Sequence, residues 1–174
     1  MQFSLNRSIE IWKSTPLALE SMLGNWSHTW LDAKEYEDGW SPKEIIAHLI
    51  LGEKTDWLPR TMIFLSQPQE AVFEPFDMKS HLDYARTHDL NELLAEFSKL
   101  RKENIEKLIS LNLSDAKLAL TARHPEFGTV TLQQHLAAWT AHDMSHIAQI
   151  ARIVAKQYKD ETGPWVKYLS ILNR

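Results

Sequence analysis

The sequence predicts an all-α protein, a four-helix bundle with a short C-terminal helix. Two observations from the residues point to helices. Three segments open on a capping residue with Glu or Gln three positions later: Ser41 with Glu44, Asp89 with Glu92, and Thr131 with Gln134. Behind each, apolar residues recur at three- and four-residue spacing, and no stretch shows the alternation of a half-buried strand. The 174 residues match the length of one domain, taken as 1–174.

The first helix is read over residues 4–31, with Ile9, Trp12, Leu19, Leu23, Trp26 and Trp30 on its apolar face. Pro16 after Thr15 predicts a kink or a fresh start, with Thr15 as the cap. The second helix starts at Ser41-Pro42, carries Ile45, Ile46, Leu49 and Ile50, and should kink or end at Pro59. Residues 66–80 hold two prolines and no helical period, so they read as a long loop able to wall a site. The third helix runs from Asp89 through Leu93, Phe97, Ile105 and Leu108. Residues 110–130 form a second long connection. The fourth helix opens at Thr131 and reaches about Tyr158, and Gly163-Pro164 separates it from the terminal helix.

Composition removes several function classes. Cysteine is absent, which excludes disulfides, thiolate metal sites and cysteine nucleophiles. Any metal must be held by His, Asp or Glu, and any thiol must come from outside. The net charge is −4, and the basic cluster Lys99, Arg101 and Lys102 is interleaved with Glu96 and Glu103. A nucleic-acid surface needs a basic excess, so no nucleic-acid partner is expected. No apolar run approaches a membrane span, and the N-terminal residues lack a secretory layout. A soluble, cytoplasmic protein is expected.

Eight histidines are many for this length, and two sit four apart in the fourth helix. His142 and His146 lie about 40° apart around the axis and about 6 Å apart along it, so both imidazoles can reach one ion. His135, Trp139 and Gln149 continue the same stripe. Burying imidazoles without partners is costly, and metal ligation or a dense hydrogen-bond network resolves the cost. His48, inside the apolar second helix, is the natural third ligand, although a lone histidine there also suits a carbonyl-bonded core position. Gly52, one turn on, costs about 1 kcal/mol in a helix against alanine. It clears space for a bound water or substrate, or serves close helix packing. Asp143 and Glu53 are candidate supporting or acid–base groups, with Glu53 placed on a solvated face. Gln149 can bond a ligand imidazole, and Arg152 or Arg60 can anchor an anion. No residue is assigned as catalytic. Nucleophile-elbow, P-loop, dinucleotide and HExxH motifs are absent.

The residues that carry a resemblance are Trp40 through Leu49, Gly52-Glu53, Asp56 through Arg60, His124 through Leu132, His142 through Arg152, and Gly163-Pro164-Trp165 with Tyr168-Leu169. Together they resemble the DinB/YfiT-like superfamily along nearly the whole chain. The resemblance implies the up-down-down-up bundle order and a homodimer. It also implies a metal held by His48, His142 and His146, with zinc or nickel ahead of iron or cobalt. Characterised members include thiol-dependent S-transferases and a thiol-dependent isomerase. The expected function is thus a metal-dependent enzyme joining a small-molecule thiol to an electrophilic substrate. A metal-dependent hydrolase and a non-catalytic metal-binding or stress-response bundle are the alternatives. Phe73, Phe76 and residues 124–128 are expected to wall the cleft.

Overall fold

The computed structural model describes residues 1–66 and 72–173. Its elements are α1 (Leu5–Leu23), α2 (His28–Leu31), α3 (Pro42–Thr55), α4 (Trp57–Ser66), α5 (Ser80–Thr87), α6 (Leu90–Ser110), α7 (Asp115–Leu118), β1 (Thr121–His124), β2 (Gly128–Thr131) and α8 (Leu132–Gln157). Two 3-10 turns, Gly163–Lys167 and Ser170–Asn173, stand where the short terminal helix was expected. Helices α1, α3, α6 and α8 form the bundle. Both α1 and α3 pack against α6 and α8, so the ring runs α1, α6, α3, α8, with α1 diagonal to α3 and α6 diagonal to α8.

All three capping boxes are present. The Ser41, Asp89 and Thr131 side chains each accept from the backbone N–H three residues on, and Glu44, Glu92 and Gln134 reach back. These bonds satisfy N–H groups that a helix start leaves without partners.

Pro16 does not begin a fresh helix. It lies within an unbroken α1, and Thr15 caps nothing; its hydroxyl donates to the Ile11 carbonyl at 3.0 Å. The helix survives because α1 is held by tertiary packing, with Trp12, Leu19 and Leu23 fully buried. Pro16 still lacks an N–H for the Trp12 carbonyl, and Arg101 supplies that donor at 3.1 Å.

The second helix ends at Thr55, before Pro59, and Pro59 falls in the first turn of a separate helix, α4. A proline is tolerated there because first-turn N–H groups have no helical partner. Of the expected loop 66–80, residues 67–71 lie outside the described residues. The following α5 was not foreseen. The connection 110–130 holds α7 and an antiparallel hairpin, β1 paired with β2 from Thr121–Thr131 to His124–Gly128. Gly128 closes its turn with φ of 73°, a conformation that disfavours side chains. Four-residue strands are too short for alternation to stand out from noise in the sequence.

The core has two apolar clusters. One gathers Leu19, Ile45, Leu93, Phe97 and Ile150. The other gathers Trp12, Trp57, Phe64, Leu132 and Trp139, with α4 and the hairpin over it. No described helix is long and apolar enough to cross a membrane.

Candidate metal centre

Helix α3 presents His48 and Gly52 four residues apart on one face, and Asp56 follows at its C-cap. Helix α8 presents His142 and His146 opposite. The Nε2 atom of His142 lies 3.1 Å from Nε2 of His48 and 3.1 Å from Nε2 of His146. One ligand atom from each of the three falls within 4.8 Å of the others. A tetrahedral ion with Zn–N bonds of ~2.0–2.1 Å sets its nitrogens about 3.3–3.4 Å apart, close to the two spacings that His142 makes.

The hydrogen-bond chemistry also fits a cation. His146 donates from Nδ1 to Gln149 Oε1 at 2.9 Å, which leaves its Nε2 lone pair facing inward. His142 Nε2 offers one bonding direction, lone pair or N–H, and faces two imidazoles. One hydrogen satisfies one of these contacts, whereas an ion between the rings satisfies both. Burial, then the neighbouring imidazoles, pushes the His48 pKa down to about 2. Burial, His146 and Arg101 push His142 down to about 3. Burial lowers His146 too, against the pull of Gln149 and Asp143. All three rings are therefore neutral at pH 7, the form that coordinates metals.

A cleft of about 850 Å³ opens in front of the histidines. Trp40, Phe76 and Phe127 give it apolar walls, and Asp56, Arg60 and His124 give it polar groups. Phe76 and residues 124–127 thus stand where expected. Phe73 is instead buried beside Phe64 and lines an adjoining cavity. His124 accepts at Nδ1 from the Glu126 and Phe127 N–H groups, so its proton sits on Nε2.

The supporting residues divide. Gln149 accepts from the His146 imidazole. Gly52 lines the cleft, but its missing side chain makes room for Trp57: a Cβ there would lie 3.0 Å from Trp57 Nε1. Arg152 pairs with Glu35 at 2.8 Å and does not line the cleft. Arg60 does line it, held by Asp56 at 2.9 Å and by the Glu74 carbonyl. Glu53 is not solvated. It is 2% exposed and paired with Arg101, because the face of α3 that carries it turns toward α6. Asp143 is fully buried on the same guanidinium. His135 donates from Nε2 to the Trp57 carbonyl at 3.0 Å and stays apart from the cluster.

Sequence reasoning missed two residues. Arg101 looked like part of a surface basic cluster; Glu53 and Asp143 as lone buried acids were the signal for it. His81 is 1% exposed, with both ring nitrogens lacking a hydrogen-bond partner. Its ring lies 5.3 Å from that of His48 and 4.4 Å from that of Trp40.

The buried His135 sets a pH dependence. Burial lowers its pKa from 6.5 to about 4 in the folded state. Below pH 6.5 the unfolded chain binds a proton that the folded chain refuses, so stability present above 6.5 is lost as pH falls toward 4. Thermal melting of metal-free protein should fall across that window. His135→Gln, which retains a donor for the Trp57 carbonyl, should lessen the fall, the remainder coming from His48, His81, His142 and His146, whose pKa values are lowered as well.

Fold and site together define a helical bundle with a three-histidine centre shared by two of its helices. The family model of the DinB superfamily matches residues 12–150, and the chain belongs to that family. A protein of Oceanobacillus iheyensis, provisionally named a metal-dependent hydrolase, is 22% identical over 156 residues, covering 88% of this chain and 87% of its own. The solved structure of YfiT from Bacillus subtilis, described as a probable metal-dependent hydrolase with an unusual four-helix bundle topology, matches with a TM-score of 0.77. It is 22% identical, with 90% of each chain covered.

Proposed function

We propose that this protein is a metal-dependent enzyme whose His48, His142 and His146 hold one divalent cation through Nε2. The observation that carries this reading is His142 Nε2, 3.1 Å from two other imidazole nitrogens with one bonding direction to share between them. A divalent ion held by three neutral imidazoles supplies Lewis acidity and brings the pKa of a bound nucleophile toward neutrality. Zinc and nickel suit an all-imidazole site best, with iron and cobalt next. Trp40, Phe76 and Phe127 give the cleft an apolar wall on which a substrate body can seat. Arg60 and the Nε2–H of His124 offer hydrogen bonds to its polar end.

Hydrolysis is the leading reaction, supported by the names of the relatives. One observation favours thiol transfer as a second reading. Asp56 in the cleft is committed to Arg60, and Glu53 and Asp143 behind it are committed to Arg101, which leaves the exposed Glu126 as the lining carboxylate outside these pairs. Water attack profits from a free general base, whereas a thiol ionises closer to neutral pH and has less need of one. With no cysteine in the chain, that thiol is a small-molecule cosubstrate. The second copy expected in a homodimer belongs to this proposal as well.

The test begins with metal content of untagged protein purified without added metal; about one ion per chain is expected. The loaded protein is then offered ester and amide substrates alone, and electrophiles with a small thiol. Metal-dependent turnover without thiol supports the hydrolase, and turnover only with thiol supports the transferase. Stoichiometric metal with neither reaction across both panels favours the non-catalytic bundle.

A further inference from the structure

We propose that Arg101 is a positioning residue for the metal centre: its guanidinium locks α3 and α8 in the register that lets His48 meet His142 and His146. The proposal rests on the reading that these histidines hold a metal.

Arg101 belongs to α6, which contributes no histidine to the cluster, and is 1% exposed. Its Nε donates to Glu53 Oε1 at 2.8 Å, and Nη2 also lies 2.8 Å from that oxygen. On its other edge Nη1 donates to Asp143 Oδ2 at 2.6 Å and Nη2 to Oδ1 at 3.0 Å. Glu53 stands five residues after His48 on α3. Asp143 stands between His142 and His146 on α8. One planar group therefore joins the two ligand-bearing helices by two-point contacts, which specify distance and angle together.

The other contacts fix the guanidinium in place. Nη1 also donates to the Trp12 carbonyl, the group that Pro16 leaves without a helical donor, so α1 joins the same node. Asn104, one turn along α6, donates to the Glu53 carbonyl and to Oε2 at 2.9 and 2.8 Å. The guanidinium carbon lies 4.8 Å from the Phe97 ring and 5.1 Å from the Trp139 ring, one from each apolar cluster. It occupies the seam where the two clusters meet.

Stability alone is a poor reason for such a network, because neutral or apolar groups of equal volume often serve a core as well as buried ions do. Register is a better one. A slide of α8 against α3 by a fraction of a turn would open the 3.1 Å spacing between His48 and His142, and apolar packing by itself resists such a slide weakly.

The test is a charge-free variant of similar shape, Glu53→Gln/Arg101→Met/Asp143→Asn, titrated with cobalt(II) and followed by its visible absorption bands. The variant should melt lower than wild type without metal, because the Trp12 carbonyl loses its donor, and at a temperature where it is folded its cobalt affinity should fall about 10–100-fold and the bands shift, as when an outer partner of a metal site is lost. Equal affinity and an unchanged spectrum would overturn the proposal. Arg101→Lys keeps the charge but loses the fork; it should leave affinity well below wild type, and full recovery by lysine would overturn the positioning role. If the triple variant does not fold, Glu53→Gln alone decides: weaker cobalt binding supports the link to α3, and unchanged binding overturns it. Wild-type protein that binds no cobalt would overturn the metal reading and this proposal together.

Discussion

His142→Ala should abolish metal binding while leaving the fold in place, the largest effect expected of any single substitution. His142 Nε2 is the shared vertex of the cluster, facing His48 and His146 at 3.1 Å each. Without it the two remaining imidazoles hold an ion by one ligand from each of two helices. Metal per chain should drop from about one to near zero, and metal-dependent turnover should drop to background. The helix should persist, because alanine is the best helix former and Leu136, Trp139, Ile150 and Ile153 still bury the inner face of α8. Metal analysis after dialysis, paired with circular dichroism, separates loss of the site from loss of the fold. His146→Ala should behave the same way. A variant that lacked His142 and still held one tightly bound ion would place the centre elsewhere.

Gly52→Leu should damage the cleft and the stability of the chain at once. The first atom of the new side chain would fall 3.0 Å from Trp57 Nε1, and Trp57 packs between the centre and the core. Its ring meets His142 edge-on at 5.0 Å and stacks on Trp139 at 5.6 Å, with 3° between the planes. A branched side chain pushes that indole from both contacts. Overpacking of this kind costs about 1–3 kcal/mol, or about 2–12 °C in Tm for a chain of this size. Turnover should fall further than metal occupancy, because the cleft wall moves while the three ligands remain. Gly52→Ala isolates the cause. Helix propensity alone predicts a gain of about 1 kcal/mol, so a melting temperature no higher than wild type reveals the contact with Trp57. A leucine variant with wild-type melting and turnover would show that this close approach does not matter.

Much of the bundle was legible in the sequence because helix starts are local. A Ser, Asp or Thr cap and its Glu or Gln partner lie three residues apart, so the signal and the structure share one short window. The elements that went unread are those whose stability is not local. The hairpin formed by β1 and β2 rests against α4 and α8, and α5 packs on α3. Neither carries a strong period of its own. Pro16 begins no new helix for the same reason: a local rule allows a fresh start there, and the burial of Trp12 and Leu19 holds α1 continuous.

The site shows the same division. His142 and His146 are bound to share a helix face by their four-residue spacing, and Gln149 is placed beside His146 by a spacing of three. The sequence by itself therefore determined the helical class, three of the four long-helix starts, and a pair of imidazoles able to meet one ion. Only the tertiary structure decided that His48, 94 residues before His142, completes the cluster through space. It alone placed Glu53 inside rather than in solvent, matched Arg101 to two carboxylates from different helices, and set Trp57 against Gly52. The reason is physical. Capping and helical spacing act over one turn of backbone and can be read from neighbouring residues. The choice of which helix faces meet is made by burial of apolar surface over the whole chain, and it fixes which distant polar groups must find each other there.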